Sequence, residues 1–116
     1  MDTGDVFDPN CPTRVVLDRI GDKWSALVLL CLAGGPMRFT RLRERIGGVT
    51  PKVLTQTVRA MEQDGLVTRE VFAEVPPRVE YALTDLGHSL HDPMAAVAAW
   101  AEQHVGEILR SREMYS

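Results

Sequence analysis

The sequence predicts a mainly α domain that carries one small antiparallel β-hairpin and ends in a long helix. Three observations predict it. Before Gly65, apolar residues recur with helical spacing in short runs separated by Gly and Pro. The period then shortens to the two-residue alternation of strands, in Val67, Arg69, Val71 and again in Val79, Tyr81, Leu83. Finally Leu86, Leu90, Met94, Val97, Ala101, Val105 and Ile108 step by four, four, three, four, four and three residues. That is one apolar stripe along a helix of about six turns.

Residues 1–10 are polar, contain Gly4 and Pro9, and read as a flexible tail; residues 11–116 read as one domain. The first helix is expected to start at Cys11-Pro12, because proline suits a first helical position whose N–H has no partner. Val15, Val16 and Ile20 give it an apolar side, and Gly21 ends it. A second helix, about Lys23–Leu32, is apolar nearly all round and should be central. Ala33-Gly34-Gly35-Pro36 stops it. Phe39, Leu42 and Ile46 mark one face of a third helix, and Gly47-Gly48 breaks it. Thr50-Pro51 supplies a cap and a first residue for a fourth helix reaching about Asp64. Leu54, Val58 and Met61 form its inward stripe; Lys52, Thr55, Gln56, Arg59 and Gln63 form a separate polar stripe. The two prolines of Val75-Pro76-Pro77-Arg78 cannot donate to a ladder, so they mark the hairpin tip. Thr84 caps the last helix, and Pro93 must bend it or remove one hydrogen bond.

The 116 residues leave no room for a separate catalytic domain. At 45% hydrophobic and 25% charged the chain has an ordinary globular mixture, and no run of eighteen apolar residues suggests a membrane span. The acidic start lacks an apolar run, so no signal peptide is expected and the cytoplasm is the expected location. The net charge of −3 conceals a split. Arg38, Arg41, Arg43, Arg45, Lys52 and Arg59 face one acid, Glu44, which leaves the segment 38–59 at +5 and the remainder at −8. A solvated basic face would account for the charge alone, but distribution matters more than total when the partner is a phosphate backbone.

The element order places a basic helix pair, joined by a short Gly-containing turn, ahead of a hairpin. This is the layout of a helix-turn-helix followed by a wing. A helix fits the major groove of double-stranded DNA, where Lys and Arg reach phosphate or guanine and Gln pairs with adenine. The terminal stripe is too long for one small domain. Leu86, Leu90, Met94, Val97, Trp100 and Ala101 are therefore expected to pack against a second copy. Such a homodimer sets two recognition helices about 34 Å apart on an inverted-repeat operator.

Several runs carry a family resemblance: Cys11-Pro12, Ile20-Gly21-Asp22-Lys23-Trp24, Gly35-Pro36-Met37-Arg38-Phe39 and Thr50-Pro51-Lys52-Val53-Leu54-Thr55-Gln56. Glu62–Val67, the wing run Glu74–Tyr81 and Leu83–Gly87 complete it. Over about residues 11–104 the chain resembles the HxlR-type winged helix-turn-helix regulators of bacteria. The resemblance implies a dimeric transcription factor, a repressor rather than an activator, with no enzymatic activity. It also implies that Pro51, Lys52, Thr55, Gln56 and Arg59 meet DNA from the recognition helix. Arg38, Thr40 and Arg41 would meet phosphates, and Pro77-Arg78 would form the wing tip.

Cys11 is a redox candidate, since several relatives sense oxidants through a cysteine before this proline. A thiol at a helix N-terminus beside Arg14 favours thiolate; the alternative is a structural cysteine. Cys31, in the apolar second helix, reads as an inert core thiol. His88 and His91 are one helical turn apart, but no further ligand completes a metal site, and no cofactor is implied. Ser25, Ser89, Ser111 and Ser116 adjoin no base, and Gly34-Gly35-Pro36 is not a phosphate loop, so catalysis finds no support. The alternatives are a sensor that captures a small effector, of unknown identity, and an interaction module without DNA binding.

Overall fold

The computed structural model describes residues 5–115. Their order is α1 (Thr13–Gly21), α2 (Lys23–Leu32), β1 (Met37–Arg38), α3 (Phe39–Arg45), α4 (Pro51–Gln63), β2 (Val67–Phe72), β3 (Arg78–Leu83) and α5 (Asp85–Tyr115). The architecture is mainly α with a small antiparallel sheet, a winged helix-turn-helix whose last helix is 31 residues long. At 1.5 Å per residue α5 measures about 46 Å, close to the 55 Å length of the whole protomer.

The core lies where α2 meets α3, α4, α5 and the sheet. Val28, Leu29 and Leu32 of α2, Leu42 of α3, Leu54, Val58 and Met61 of α4, and Val67, Tyr81 and Leu83 of the sheet are buried together. The inward stripe expected of α4 is the one observed. Thr57 lies on it too, and its hydroxyl is satisfied by donating to the Val53 carbonyl at 2.8 Å.

Polar caps fix where the helices start and stop. Thr50 Oγ1 accepts from the Val53 N–H at 3.1 Å, with Pro51 as first residue of α4. At the other end Gly65 has φ of 76°, and the N–H groups of Gly65 and Leu66 donate to the carbonyls of Glu62 and Met61. This left-handed stop satisfies carbonyls that the helix end leaves open. Thr84 then docks α5 on that turn: its Oγ1 accepts from the Gly87 N–H at 3.0 Å and donates to the Gly65 carbonyl at 2.6 Å. The approach is so close that a Cβ on Gly87 would lie 2.2 Å from the Leu66 carbonyl oxygen. Glycine there is a requirement of docking, which aligns the long helix against the turn that ends α4.

The structure amends three expectations. First, Met37–Arg38 forms a third strand, β1, which pairs with β3 opposite Tyr81 and Glu80 and gives the sheet order β1-β3-β2. A two-residue strand after a proline shows no periodicity. Second, α1 begins at Thr13 with Pro12 as its cap residue, and none of its residues is buried. Val15, Val16 and Leu17 are exposed; only Ile20 packs on the core. Third, the stripe of α5 divides. Met94 is buried and Leu90 is packed against the core, because the first half of α5 lies on α2. These two side chains contribute to the protomer's own core. Leu86, Val97 and Trp100 are 57%, 56% and 54% exposed, and Ala101 is exposed as well. Pro93 lies inside α5 and does not end it.

Of residues 1–10, the first four lie outside the described residues. Asp5–Asn10 form successive turns, with the Asp8 and Cys11 N–H groups donating to Asp5 and Asp8 carbonyls. Arg14 clamps them, its guanidinium donating to the carbonyls of Val6 and Phe7 at 2.9 and 3.1 Å. No helix among the described residues is long and apolar enough to cross a membrane.

Candidate nucleic-acid interface

The polar stripe of α4 is set by the burial of its opposite face. With Leu54, Thr57, Val58 and Met61 turned inward, helical spacing leaves Lys52, Gln56 and Arg59 exposed and Thr55 half-buried. Pro51 and Lys52 stand exposed in the first turn, where free N–H groups and the helix dipole favour an anion. Arg38 caps α3, and Thr40 and Arg41 lie exposed in its first turn.

A concave groove of about 570 Å³ runs between α4 and the wing. It gathers Arg38, Thr40, Thr55, Arg59, Pro77 and Arg78 from the expected contacts. Phe39 and Tyr81, with ring centres 6.5 Å apart, supply an apolar part of its wall. Arg41 is separated from this group; it lines a second recess with Cys31, Pro36 and Glu80. Pro51, Lys52 and Gln56 line neither recess and extend the exposed stripe along α4.

The hairpin tip is Ala73–Pro77, with Val75-Pro76 a cis peptide bond. Pro77 is exposed there, as expected. Arg78 differs from the free wing-tip cation that the sequence suggested. It opens β3, and its guanidinium lies 4.0 Å above the Phe72 ring. Nη1 is 3.1 Å from Glu74 Oε1 and Nε is 3.0 Å from Glu80 Oε2, though Nε lacks hydrogen-bond geometry. The reason is register: Phe72 pairs with Arg78 and Glu70 with Glu80, so these side chains share the outer face of the sheet. Arg78 braces the wing from within. Among the described residues Arg38, Arg41, Lys52 and Arg59 form no ion pair. Their positive charge is available to a partner.

Arg69 was not among the expected contacts, yet it lines the same groove. Its signal was present in the alternation Val67, Arg69, Val71, where an arginine occupies a position in the apolar series.

Of the two cysteines, Cys11 is more buried than a reactive thiol at a helix start requires, whereas Cys31 packs against the core as expected. Cys11 is 5% exposed beneath the turns that Arg14 holds. Arg14 spends its guanidinium on backbone carbonyls. Cys31 is half-buried and lines the second recess. Burial pushes its thiol above the ordinary range, and the charge of Arg45 offsets only part of that. His91 Nδ1 lies 3.2 Å from Asp92 Oδ1, and no group of three metal-binding side chains occurs among the described residues.

Comparison with known proteins agrees with this geometry. The HxlR-like helix-turn-helix model matches residues 19–108. The chain is 43% identical over 110 residues to the uncharacterized HTH-type transcriptional regulator YtfH of Escherichia coli (strain K12), covering 95% of this chain and 87% of YtfH. It is similar to the solved structure of ytfH from Salmonella typhimurium, with TM-score 0.88, 43% identity and coverage of 95% and 98% of the two chains. It also resembles the redox regulator HypR in its oxidized form, with TM-score 0.74, 38% identity and coverage of 80% and 96%. With its winged helix-turn-helix and its matched segment spanning most of its length, the chain belongs to the HxlR-like family and is a helix-turn-helix transcriptional regulator.

Proposed function

We propose that this regulator acts in the cytoplasm as a homodimer that represses transcription by occupying an inverted-repeat operator. Helix α4 enters the major groove, with Lys52, Gln56 and Arg59 facing base edges and Pro51 and Thr55 against the backbone. Arg38, Thr40 and Arg41 meet phosphates, and the wing around Pro77 lies alongside. The reading requires no cofactor and no catalytic step. The observation that carries it is the division of α4 into a fully buried apolar face and an exposed basic stripe free of ion pairs.

The test is titration of fluorescent duplexes from the DNA upstream of its own gene. Arg59→Ala is expected to weaken operator binding by about 1–3 kcal/mol if Arg59 contacts a base. Its thermal midpoint should stay near wild type, since Arg59 is exposed. Leu54→Ala, by contrast, should lose about 2–5 kcal/mol of stability. Unaltered operator affinity in Arg59→Ala would remove α4 from the base-reading role.

A thiol response is a second reading, favoured by the likeness to HypR in its oxidized form. On this reading Cys11 is the switch, and the turns at Asp5–Asn10 must open before an oxidant reaches it. Treatment with diamide is expected to lower DNA affinity in wild type and leave Cys11→Ser unaffected. If both proteins respond alike, Cys11 is structural.

A further inference from the structure

We infer that Arg69 and Arg38, beside the base-reading Arg59, form a cleft that grips one backbone phosphate of duplex DNA between α4 and the wing. The inference rests on the DNA-binding reading above and adds a site to it.

Register makes Arg69 anomalous. Val67, Arg69 and Val71 pair with Leu83, Tyr81 and Val79, and opposed residues share one face of a sheet. Val67, Tyr81 and Leu83 on that face are buried. Position 69 lies where that face passes from packed to open, for Val71 beyond it is 52% exposed, and a valine like its neighbours would fit there. Arginine stands there instead, exposed and lining the groove with Thr55 and Arg59 of α4.

No carboxylate compensates it. Among the described residues Arg69 forms no ion pair. Its neighbour Glu70 points to the outer face by alternation, opposite Glu80. Glu74, which does line the groove, is bound to Arg78 at 3.1 Å. Arg38, Arg59 and Arg69 thus share one concavity in which the one lining carboxylate, that of Glu74, is already paired with Arg78. Like charges so placed repel one another, an effect that solvent partly screens because all three are exposed. An oxyanion converts that repulsion to attraction, and the guanidinium fork matches phosphate in a bidentate manner. Thr40 and Thr55 line the same space, and each carries a hydroxyl donor. Its volume of about 570 Å³ holds a phosphodiester with its flanking sugars. The cleft borders the exposed stripe of α4, so a duplex whose major groove receives that helix brings its phosphate strand there.

The experiment compares full-length wild type, Arg69→Gln and Arg69→Lys by fluorescence anisotropy on operator and on unrelated duplex across a salt series. Arg69→Gln is expected to weaken both duplexes about tenfold and to lower the salt slope by about one per protomer. Arg69→Lys should keep the wild-type slope and recover part of the affinity, because charge returns without the fork. If wild type binds and Arg69→Gln matches it in affinity and slope, the cleft is overturned and the role of α4 stands. If wild type binds no duplex, both fail together. Calorimetry with inorganic phosphate alone separates the sources of the oxyanion. Micromolar binding that Arg69→Gln abolishes would overturn DNA as the ligand and assign the cleft to a free phosphate ester; binding no tighter than millimolar supports the duplex.

Discussion

Raising NaCl from 50 to 200 mM is expected to weaken operator binding about a thousandfold, which is the loss for a dimer making six phosphate contacts. Each phosphate neutralised releases condensed counterions, and the logarithm of affinity falls by about 0.9 per contact for each logarithmic unit of salt. Arg38, Arg41 and Arg69 are exposed without an ion pair, and two copies bring six such cations. Six contacts therefore require each of them to reach the backbone, with Lys52 and Arg59 left to the bases. Arg78 should contribute little, since Glu74, Glu80 and the Phe72 ring already hold it. Anisotropy titrations at five salt concentrations give the slope directly. A flat response would contradict DNA binding through this surface, whatever the affinity at one salt.

The legible parts of the fold were those in which local chemistry and tertiary packing agree. Thr50-Pro51 and Gly65 bound α4 because a cap hydroxyl and a left-handed residue act within a few positions of the chain. The inward face of α4 followed from spacing alone. Three features depended on information that spacing lacks. The strand Met37–Arg38 exists because β3 offers it partners, not because two residues have a pattern. The stripe of α5 reads as uniform in sequence, but only Leu90 and Met94 find α2 beneath them. Arg78 and Arg69 were separable only by register. Both are arginines in strands, yet one lies on the outer face among carboxylates and the other turns toward α4. The burial of Cys11 was hidden for a related reason: the turns before it are ordered by Arg14 reaching back to Val6 and Phe7, a contact no periodicity announces.

Replacing Val97 and Trp100 together by Asp is expected to convert the proposed dimer to a monomer and to lower operator affinity by about a hundred- to ten-thousandfold. That is the range lost when two tethered half-site interactions become independent. The apolar surface that motivates the prediction is extensive. Val15, Val16 and Leu17 of α1 and Leu86, Val97, Trp100, Val105, Ile108 and Leu109 of α5 are all exposed. A recess of about 330 Å³ between α1 and the start of α5, lined by Val15, Val16, Leu66, Leu86 and Leu90, joins the two helices. Monomeric proteins seldom leave so much contiguous apolar surface in water. Val97 and Trp100 are chosen because Met94 and Leu90 also serve the protomer core, so altering those would confuse assembly with folding. Each Asp would place a charge in a desolvated contact, whereas in the isolated protomer both side chains face solvent. Light scattering should therefore report half the wild-type mass with a helical circular dichroism spectrum. Affinity for a duplex carrying one half-site should be close to wild type, because α4 is untouched. If the doubly substituted protein still elutes at the wild-type mass, α5 does not hold the two copies together, and the half-site spacing must be set by another surface.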